Sequence, residues 1–259
     1  MKREAELYSE EEIMVKSHER VDDLQLKDLK IIQNPDWFCF GIDAVLLADF
    51  AEAGARAKVM DLCTGNGIVP LLLYGKNKGK KLVGLEIQPE IAEMAERSVR
   101  LNGLEDKISI KTGDAAQIRE WENAHSYDVV TMNPPYKPIG HGIVNPGDHK
   151  AIARHEITAD LEALIESAAY LLNSQGRFYM VHRPQRLMDI LTLMRKYGIE
   201  PKRIRLVYPK QGKQPNIVLV KGILGGKPDL VMDPAFFVYD DQGAYTPELH
   251  KIYGDIWKR

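Results

Sequence analysis

The tetrapeptide Asn133-Pro134-Pro135-Tyr136 follows the apolar run 127–132, which predicts a buried strand, and it carries the most specific chemistry of the chain. The Asn133 side-chain oxygen and the Pro134 carbonyl oxygen are two acceptors that can meet the N–H groups of a planar amino group. These hydrogen bonds strengthen as the nitrogen becomes pyramidal, so its delocalised lone pair turns toward an electrophile. The pattern predicts group transfer to a conjugated amino nitrogen without a strong general base.

The prolines and the tyrosine of this tetrapeptide have separate predicted roles. Pro134 and Pro135 fix φ and push each preceding residue toward extended geometry, so the acceptor carbonyl is held in place. Tyr136 can stack on a planar target, as aromatic side chains do on flipped or single-stranded bases. A proline-rich strand exit without chemistry is the alternative interpretation of the same residues.

A glycine-bearing turn, Asp61-Leu62-Cys63-Thr64-Gly65-Asn66-Gly67, ends the first predicted core strand and opens a helix. We expect Gly65 and Gly67 to let the backbone approach a ligand closely, because a Cβ atom there would collide with it. The dinucleotide fingerprint G-x-G-x-x-G is absent, since Pro70 stands where its third glycine belongs. A turn without that glycine and without Lys or Arg suits a ligand that lacks a pyrophosphate.

Two acids follow at the ends of the next two predicted strands. Glu86, with Ile87 beside it, can accept hydrogen bonds from vicinal ribose hydroxyls. Asp114, with Ala115 beside it, can accept from an adenine amino group. Each acid alone could be a helix cap or a loop residue, but together they predict a nucleoside-containing cofactor. NAD stays open at this point, because fold alone does not settle function.

The elements that would position these residues alternate regularly after Lys58. Seven strands are predicted, with helices between most of them: 59–62, 81–86, 107–114, 127–132, 176–182, 203–209 and 216–224. This alternation predicts an α/β, doubly wound, mostly parallel sheet that binds ligands at the carboxyl ends of its strands. The last connection is short, so the sheet should finish in an antiparallel hairpin.

The chain divides into three predicted regions. Residues 1–23 are an acidic lead-in that we expect to be loosely attached. Residues 24–54 should form a hairpin that turns at Lys27-Asp28 and a helix that Asp43 caps and that ends at Gly54, together covering the cofactor site. Residues 55–259 form the catalytic core.

Composition sets the broad class. A chain of 259 residues with 44% hydrophobic content can bury one sizeable α/β core. Its two cysteines, Cys39 and Cys63, give neither a disulfide framework nor a zinc-like spacing, so we expect no metal and a reducing cytosol. The sequence shows no signal region and no apolar run long enough for a membrane helix, which predicts a soluble, cytoplasmic protein.

Charge is unevenly distributed along the chain. The net charge is −2, yet residues 177–227 hold twelve Lys and Arg against only Asp189 and Glu200. This basic stretch is either the footprint of a phosphate backbone or an ordinary solvated face, because clustering in sequence does not prove clustering in space.

Four further segments complete the pattern: FCFGIDAVLL (38–47), ARHE (153–156), HRP (182–184) and YDDQGAYT (239–246). With the glycine turn, the two acids and the tetrapeptide, they resemble the bacterial tRNA(Val) adenine-N6-methyltransferase family of class I S-adenosylmethionine-dependent methyltransferases. The resemblance implies S-adenosyl-L-methionine as cofactor, with Glu86 on its ribose and Asp114 on its adenine. Phe40, Gly41 and Asp43 would close its methionine end, or would simply staple and cap the following helix.

The same resemblance implies a tRNA partner, which is methylated on the exocyclic N6 of an adenine in the anticodon loop of a valine tRNA. We expect a monomer. The loop 137–157 would cover the substrate pocket. The residues expected to hold the RNA are basic: Lys137, Arg154, Arg183, Arg203, Arg205, Lys210 and Lys213. The alternatives are a glutamine N5-methyltransferase of release factors, an rRNA guanine-N2 methyltransferase, an NAD-binding oxidoreductase and a non-catalytic scaffold.

Overall fold

The computed structural model describes residues 14–37, 39–120, 122–138, 155–156 and 161–253. Its strands are β1 Arg20–Asp23, β2 Lys30–Gln33, β3 Lys58–Leu62, β4 Lys81–Glu86, β5 Ile108–Thr112, β6 Tyr127–Met132, β7 Lys137–Pro138, β8 His155–Glu156, β9 Leu172–His182, β10 Ile199–Tyr208, β11 Ile217–Leu224, β12 Val231–Met232 and β13 Phe236–Phe237. Its α-helices are α1 Ile42–Phe50, α2 Ile68–Gly75, α3 Pro89–Leu101, α4 Leu161–Leu171, α5 Leu187–Lys196 and α6 Pro247–Tyr253. Short 3-10 helices lie at Ala115–Glu120 and Pro184–Arg186.

The central sheet has the strand order β10-β11-β9-β6-β3-β4-β5, with β12 and β13 added beside β10. β11 is antiparallel to both of its neighbours, whereas the other long strands run parallel to each other. The central parallel strands β3, β4 and β6 are mostly apolar runs buried on both faces, as strands covered by helices on each side must be. The predicted doubly wound sheet with its terminal antiparallel pair is confirmed.

The strand order reverses between β3 and β6, since β4 and β5 lie on one side of β3 and β9 lies on the other side of β6. A crevice opens at the carboxyl ends of the strands at such a reversal. The glycine turn leaves β3 on one side of this crevice, and Asn133 leaves β6 on the other. The topology therefore brings the two predicted motifs together.

The N-terminal hairpin is a separate two-stranded sheet in which Arg20 pairs with Gln33. The predicted turn at Lys27-Asp28 is confirmed, and both residues have positive φ. The predicted first strand inside 24–26 is wrong: the pairing strand is β1, and Leu24 is buried in the core instead. The hairpin packs on α3 through a small apolar cluster built on Ile32, Ile91 and Met94.

The loose attachment expected of the acidic lead-in is wrong for residues 14–23. The Arg97 guanidinium on α3 binds both carboxylate oxygens of Glu19, at 2.5 and 2.6 Å, and also binds the Met14 carbonyl oxygen. The two charged side chains are 6% and 1% exposed, so this ion pair is buried. Bidentate arginine geometry compensates the desolvation of both charges. Residues 1–13 lie outside the described part of the chain.

The helix predicted after Asp43 differs at both ends. α1 begins at Ile42 with Gly41 as its N-cap and no side-chain cap, so the prediction of Asp43 as N-cap is wrong. Asp43 lies in the first turn, where the negative charge of a carboxylate interacts favourably with the positive end of the helix dipole. The helix ends at Phe50 because Ala51 is already extended.

Candidate functional site

A cavity of about 930 Å³, open mouth included, lies at the carboxyl ends of β3 to β6. It is lined by these residues of the sequence-based prediction: Phe40, Cys63, Thr64, Gly65, Glu86, Ile87, Asp114, Ala115, Asn133 and Pro135. The prediction missed these lining residues: Ala44, Asn66, Ile68, Val69, Leu85, Gln88, Ile91, Gly113 and Leu164. Other predicted site residues lie near the cavity without lining it: Gly41, Asp43, Asp61, Gly67, Pro134 and Tyr136. None of the described lining residues is Lys, Arg or His.

Glu86 joins two turns at the wall of this cavity. Its Oε2 accepts the Gly65 backbone N–H at 2.9 Å, and its Oε1 accepts the Gln88 backbone N–H at 3.0 Å. Burial raises the pKa of the Glu86 carboxyl, while these backbone donors oppose the shift. Oε1 also accepts the Gln88 side-chain amide at a long 3.5 Å, whereas Oε2 keeps a second lone pair that can accept a hydrogen bond from a ligand.

Asp61 connects the start of the glycine turn to β6. Its Oδ1 accepts the Thr131 hydroxyl at 2.6 Å, whereas its Oδ2 and the Thr64 hydroxyl lack a hydrogen bond of normal geometry within the described residues. Burial raises the pKa of Asp61 to about 7, the two threonine hydroxyls oppose the shift, and the charge of Glu86 adds to it. Asp61 is thus a buried group that changes charge near neutral pH.

The two glycines of the turn serve different purposes. Gly65 has φ +57°, and a Cβ atom there would meet nothing within 4 Å, so the residue borders open cavity as predicted. Gly67 has φ +82° and is the N-cap of α2. A Cβ atom at Gly67 would lie 3.3 Å from the Ala95 Cβ. Gly67 does not line the cavity, and its lack of a side chain allows α2 and α3 to approach each other; a ligand contact at its backbone stays a prediction.

Asp114 is placed by a local turn after β5. Its Oδ1 accepts the Ala116 backbone N–H at 2.9 Å, which opens the short 3-10 helix. The Ser167 hydroxyl of α4 donates to the Ala115 carbonyl oxygen at 2.7 Å and fixes the same turn. The second carboxylate oxygen of Asp114 stays available at the cavity wall.

Gln33 is a residue of the site that the sequence pattern did not reveal. Its Oε1 accepts the Phe40 backbone N–H at 3.1 Å and the Asn66 side-chain amide at 3.2 Å. One buried carboxamide thereby connects the N-terminal hairpin, the segment before α1 and the glycine turn. In the sequence, Gln33 is a single polar residue at the end of a short strand, so only the tertiary structure shows this role.

The tetrapeptide after β6 presents Asn133 and Pro135 to the cavity. The Tyr136 hydroxyl oxygen lies 2.6 Å from Asn133 Oδ1 and 2.7 Å from Asp43 Oδ2. The Tyr136 ring packs edge-on against His182, with centroids 5.2 Å apart, and the Arg183 guanidinium lies over it at 5.0 Å. A base that stacks on Tyr136, as predicted, would therefore need the ring face that Arg183 does not cover.

The predicted convergence of basic residues at the cavity mouth is wrong for Arg203 and Arg205. Both guanidiniums bind the Asp233 carboxylate and lie over the Phe50 ring, and both residues belong to the middle of β10. Arg203 also pairs with Glu52. The charges of both arginines are therefore neutralised by carboxylates of the fold, at a place where the sheet face meets solvent.

The other predicted substrate residues are differently placed. Arg183 follows β9 beside Tyr136 and donates to the Asn216 carbonyl oxygen at 3.1 Å. Lys210 and Lys213 are exposed in the turn between β10 and β11, which leaves the sheet at the same edge as β9 ends. The backbone of Lys137 belongs to β7, which pairs with β8. Arg154 and most of the expected covering loop lie outside the described residues.

Within the described residues, no group of three or more His, Cys, Asp and Glu side chains could hold a metal ion. None of the helices found there has the length and apolarity to cross a membrane.

The fold and the cavity define a methyltransferase of the Rossmann-like class, and comparison with known families agrees. The family model "Methyltransferase small domain" matches residues 29–197, and the chain belongs to this family. A similar curated protein is the tRNA1(Val) (adenine(37)-N6)-methyltransferase of Tolumonas auensis, 27% identical over 220 residues that cover 85% of this chain and 90% of that protein.

Two solved structures show the same fold. One is a predicted O-methyltransferase from Agrobacterium tumefaciens, with a TM-score of 0.63 and 22% identity over 82% of this chain and 95% of that one. The other is TYW2 of P. horikoshii in complex with MeSAdo, with a TM-score of 0.58 and 15% identity over 82% of this chain and 73% of that one.

Proposed function

We propose that this methyltransferase transfers the methyl group of S-adenosyl-L-methionine to the exocyclic N6 of an adenine in tRNA. The observation that carries the proposal is the position of Asn133 and Pro135 on the wall of a cavity that also holds Glu86 and Asp114. The name of the Tolumonas auensis relative supports adenine as the base and position 37 of a valine tRNA as its location.

The residues of the cavity fit this cofactor. Glu86 Oε2 has a lone pair left for one ribose hydroxyl, and Oε1 can accept the other in place of its long contact with the Gln88 side-chain amide. The second oxygen of Asp114 can accept from the adenine amino group. A phosphate-bearing ligand would meet Glu86 and Asp114 without a compensating cation among the described lining residues, whereas a sulfonium is attracted by them. Phe40 lines the cavity and offers an aromatic face to that cation. When bound, the cofactor supplies the electrophilic methyl group.

The chain's own contribution to the reaction is to hold the target nitrogen. The Asn133 side-chain oxygen and the Pro134 carbonyl oxygen accept the two N–H groups of the amine, and the bonds tighten as the nitrogen becomes pyramidal. The consecutive prolines keep the carbonyl in place before the substrate arrives. The leaving proton passes late to solvent, so no base is needed in the cavity.

The RNA is held beside the cavity mouth by Arg183, Lys210 and Lys213, and Lys137 and Arg154 stay predicted contacts. The C-terminal segment adds an aromatic surface there. Tyr239, whose backbone N–H donates to the Pro209 carbonyl oxygen at 2.8 Å, is 39% exposed and stacks on Tyr245. Aromatic rings next to Lys side chains suit single-stranded nucleotides, because bases stack while phosphates find cations.

The test is methyl transfer from labelled S-adenosyl-L-methionine to total tRNA that lacks the modification, followed by nucleoside analysis. We expect N6-methyladenosine in a single tRNA species. Label in N2-methylguanosine of rRNA, or in a glutamine of a release factor, with none in tRNA would overturn the proposal.

A further inference from the structure

The Tyr136 hydroxyl lies between two oxygen atoms, and it has only one proton to donate. Asp43 Oδ2 is 2.7 Å away, and Asn133 Oδ1 is 2.6 Å away. Burial, with the nearby charge of Asp43, raises the pKa of the Tyr136 hydroxyl well above its usual value, so the hydroxyl keeps its proton. An ionised carboxylate is a stronger acceptor than a carboxamide oxygen, and the proton therefore goes to Asp43.

The side-chain oxygen of Asn133 cannot then face the tyrosine oxygen, because no proton separates the two atoms. A carboxamide carries an acceptor oxygen on one side and a donor NH₂ group on the other, and a half-turn about its terminal bond exchanges them. After this turn, Asn133 Nδ2 donates to the Tyr136 oxygen. Asn133 Nδ2, the Tyr136 hydroxyl and Asp43 Oδ2 then form donor–acceptor pairs of the correct type.

We propose that Asp43 is a positioning residue that acts through Tyr136 to direct the side-chain oxygen of Asn133 toward the target amino group. The chain of hydrogen bonds runs from Asn133 Nδ2 to the Tyr136 hydroxyl and from there to Asp43 Oδ2. Asn133 lines the cavity, whereas Tyr136 and Asp43 do not, so the atom turned away from Tyr136 is the one on the cavity side. The inference rests on the proposed function, because it presents the oxygen to an amine.

Asp43 is well suited to anchor such a chain. Its Oδ1 accepts the Ala44 backbone N–H at 2.9 Å, so both carboxylate oxygens are engaged and the side chain has one defined orientation. A Cβ atom at Gly41 would lie 2.8 Å from the same Oδ1, so the backbone before α1 passes close beside it. α1 itself is mostly buried in the core. The anchor is therefore a rigid element, which catalytic positioning requires.

The kinetic test removes each end of the chain. Asp43→Ala and Tyr136→Phe should each lower kcat by about 10- to 100-fold, because the acceptor oxygen is no longer fixed, with KM for the cofactor unchanged. The double variant should be no slower than the slower single variant, since both substitutions break one chain. Asp43→Asn keeps an acceptor oxygen and should recover part of the rate. Losses that multiply in the double variant would overturn the proposal.

Two control variants separate positioning from general structural damage. Glu90→Ala removes an exposed acid from the first turn of α3, and Tyr127→Phe removes a buried hydroxyl that donates to Glu122, away from the cavity. Both should leave kcat within about two-fold of the wild type, as substitutions outside such a site generally do. A loss in Tyr127→Phe equal to that in Tyr136→Phe would mean that any buried tyrosine hydroxyl matters, and the chain would be wrong.

A second readout needs no substrate. The side-chain amide resonances of Asn133, assigned by their disappearance in Asn133→Ala, should shift in both Asp43→Ala and Tyr136→Phe and stay unchanged in Tyr127→Phe. If no RNA is methylated yet the resonances respond, the proposed function fails while the chain stands. If RNA is methylated and the resonances do not shift in Asp43→Ala, the proposed function stands and the proposed chain of hydrogen bonds is wrong.

Discussion

The two halves of the central sheet differ in whether their charged side chains form salt bridges. In the half built from β3, β4 and β5, the carboxylates of Asp61, Glu86 and Asp114 form no salt bridge within the described residues and are held by hydroxyls and backbone N–H groups. In the half built from β9, β10 and β11, Arg203 and Arg205 share the Asp233 carboxylate. Of these acids, Glu86 and Asp114 line the cavity and are available to a ligand, whereas arginines that already share a carboxylate serve the fold.

The largest effect should come from the clamp that lies between the two halves. Asn133→Ala removes one of two acceptors of the target amine, and we expect single-turnover methyl transfer to fall by about 100- to 1000-fold. Cofactor affinity, measured by calorimetric titration, should stay within the same order of magnitude. A variant that transfers methyl groups at the wild-type rate would show that the tetrapeptide is only a strand exit.

The next effect tests whether the unpaired acids serve the cofactor. Glu86→Ala removes charge-assisted hydrogen bonds of about 1.5–3 kcal/mol, so cofactor affinity should fall by about 10- to 100-fold. Glu86→Gln keeps one acceptor and should lose less. Glu90→Ala, on the exposed first turn of α3, is the matched control for removal of an acid. Equal affinity of all three variants would mean that Glu86 only ties the two turns together.

Asp61 gives the acid-rich half a pH-dependent stability. Its pKa is raised from 3.8 to about 7, so the folded state keeps a proton that the unfolded state releases between these values. The free energy of unfolding should therefore fall as pH rises through that window. Relative to Asp61→Asn, the wild type should lose about 1–3 kcal/mol between pH 5 and pH 8 in denaturant titrations. Parallel losses in both proteins would contradict the assignment to Asp61.

The smallest effect separates cations that serve the fold from cations that serve the RNA. Lys210→Ala with Lys213→Ala should weaken tRNA binding several-fold and reduce the slope of log affinity against log salt by about two. Arg203→Ala with Arg205→Ala should leave that slope unchanged and lower the free energy of unfolding by about 1 kcal/mol. A reversed result would mean that Asp233 releases its partners to the RNA.

The parts of the fold that were predicted correctly are those with a continuous apolar signal. β4 and β6 have the predicted bounds because strands buried on both faces form uninterrupted apolar runs between turns. β1 was missed because its residues, RVDD, are polar and pair only with β2. β12 and β13, two residues each, are too short to show a periodicity.

The site residues likewise divide into those that the sequence pattern could locate and those that it could not. Glu86 and Asp114 line the cavity because the carboxyl end of a parallel strand fixes the position of the residues at that end, while their cofactor contacts stay predictions. The pairing of Arg203 with Asp233 could not be predicted, because it depends on how a later segment returns to the sheet. The contacts of Gln33 and of Asp43 likewise join elements that are distant in sequence.

The carboxamide of Gln33 makes the hairpin and the cofactor site thermodynamically linked. It holds Phe40 and Asn66, which both line the cavity, while its own strand packs on α3. Linkage is reciprocal, so whatever free energy a bound ligand adds to these contacts also resists opening of the hairpin. Slower hydrogen exchange at the backbone amides of β2 would therefore report that a ligand occupies the cavity, although no residue of β2 lines the cavity.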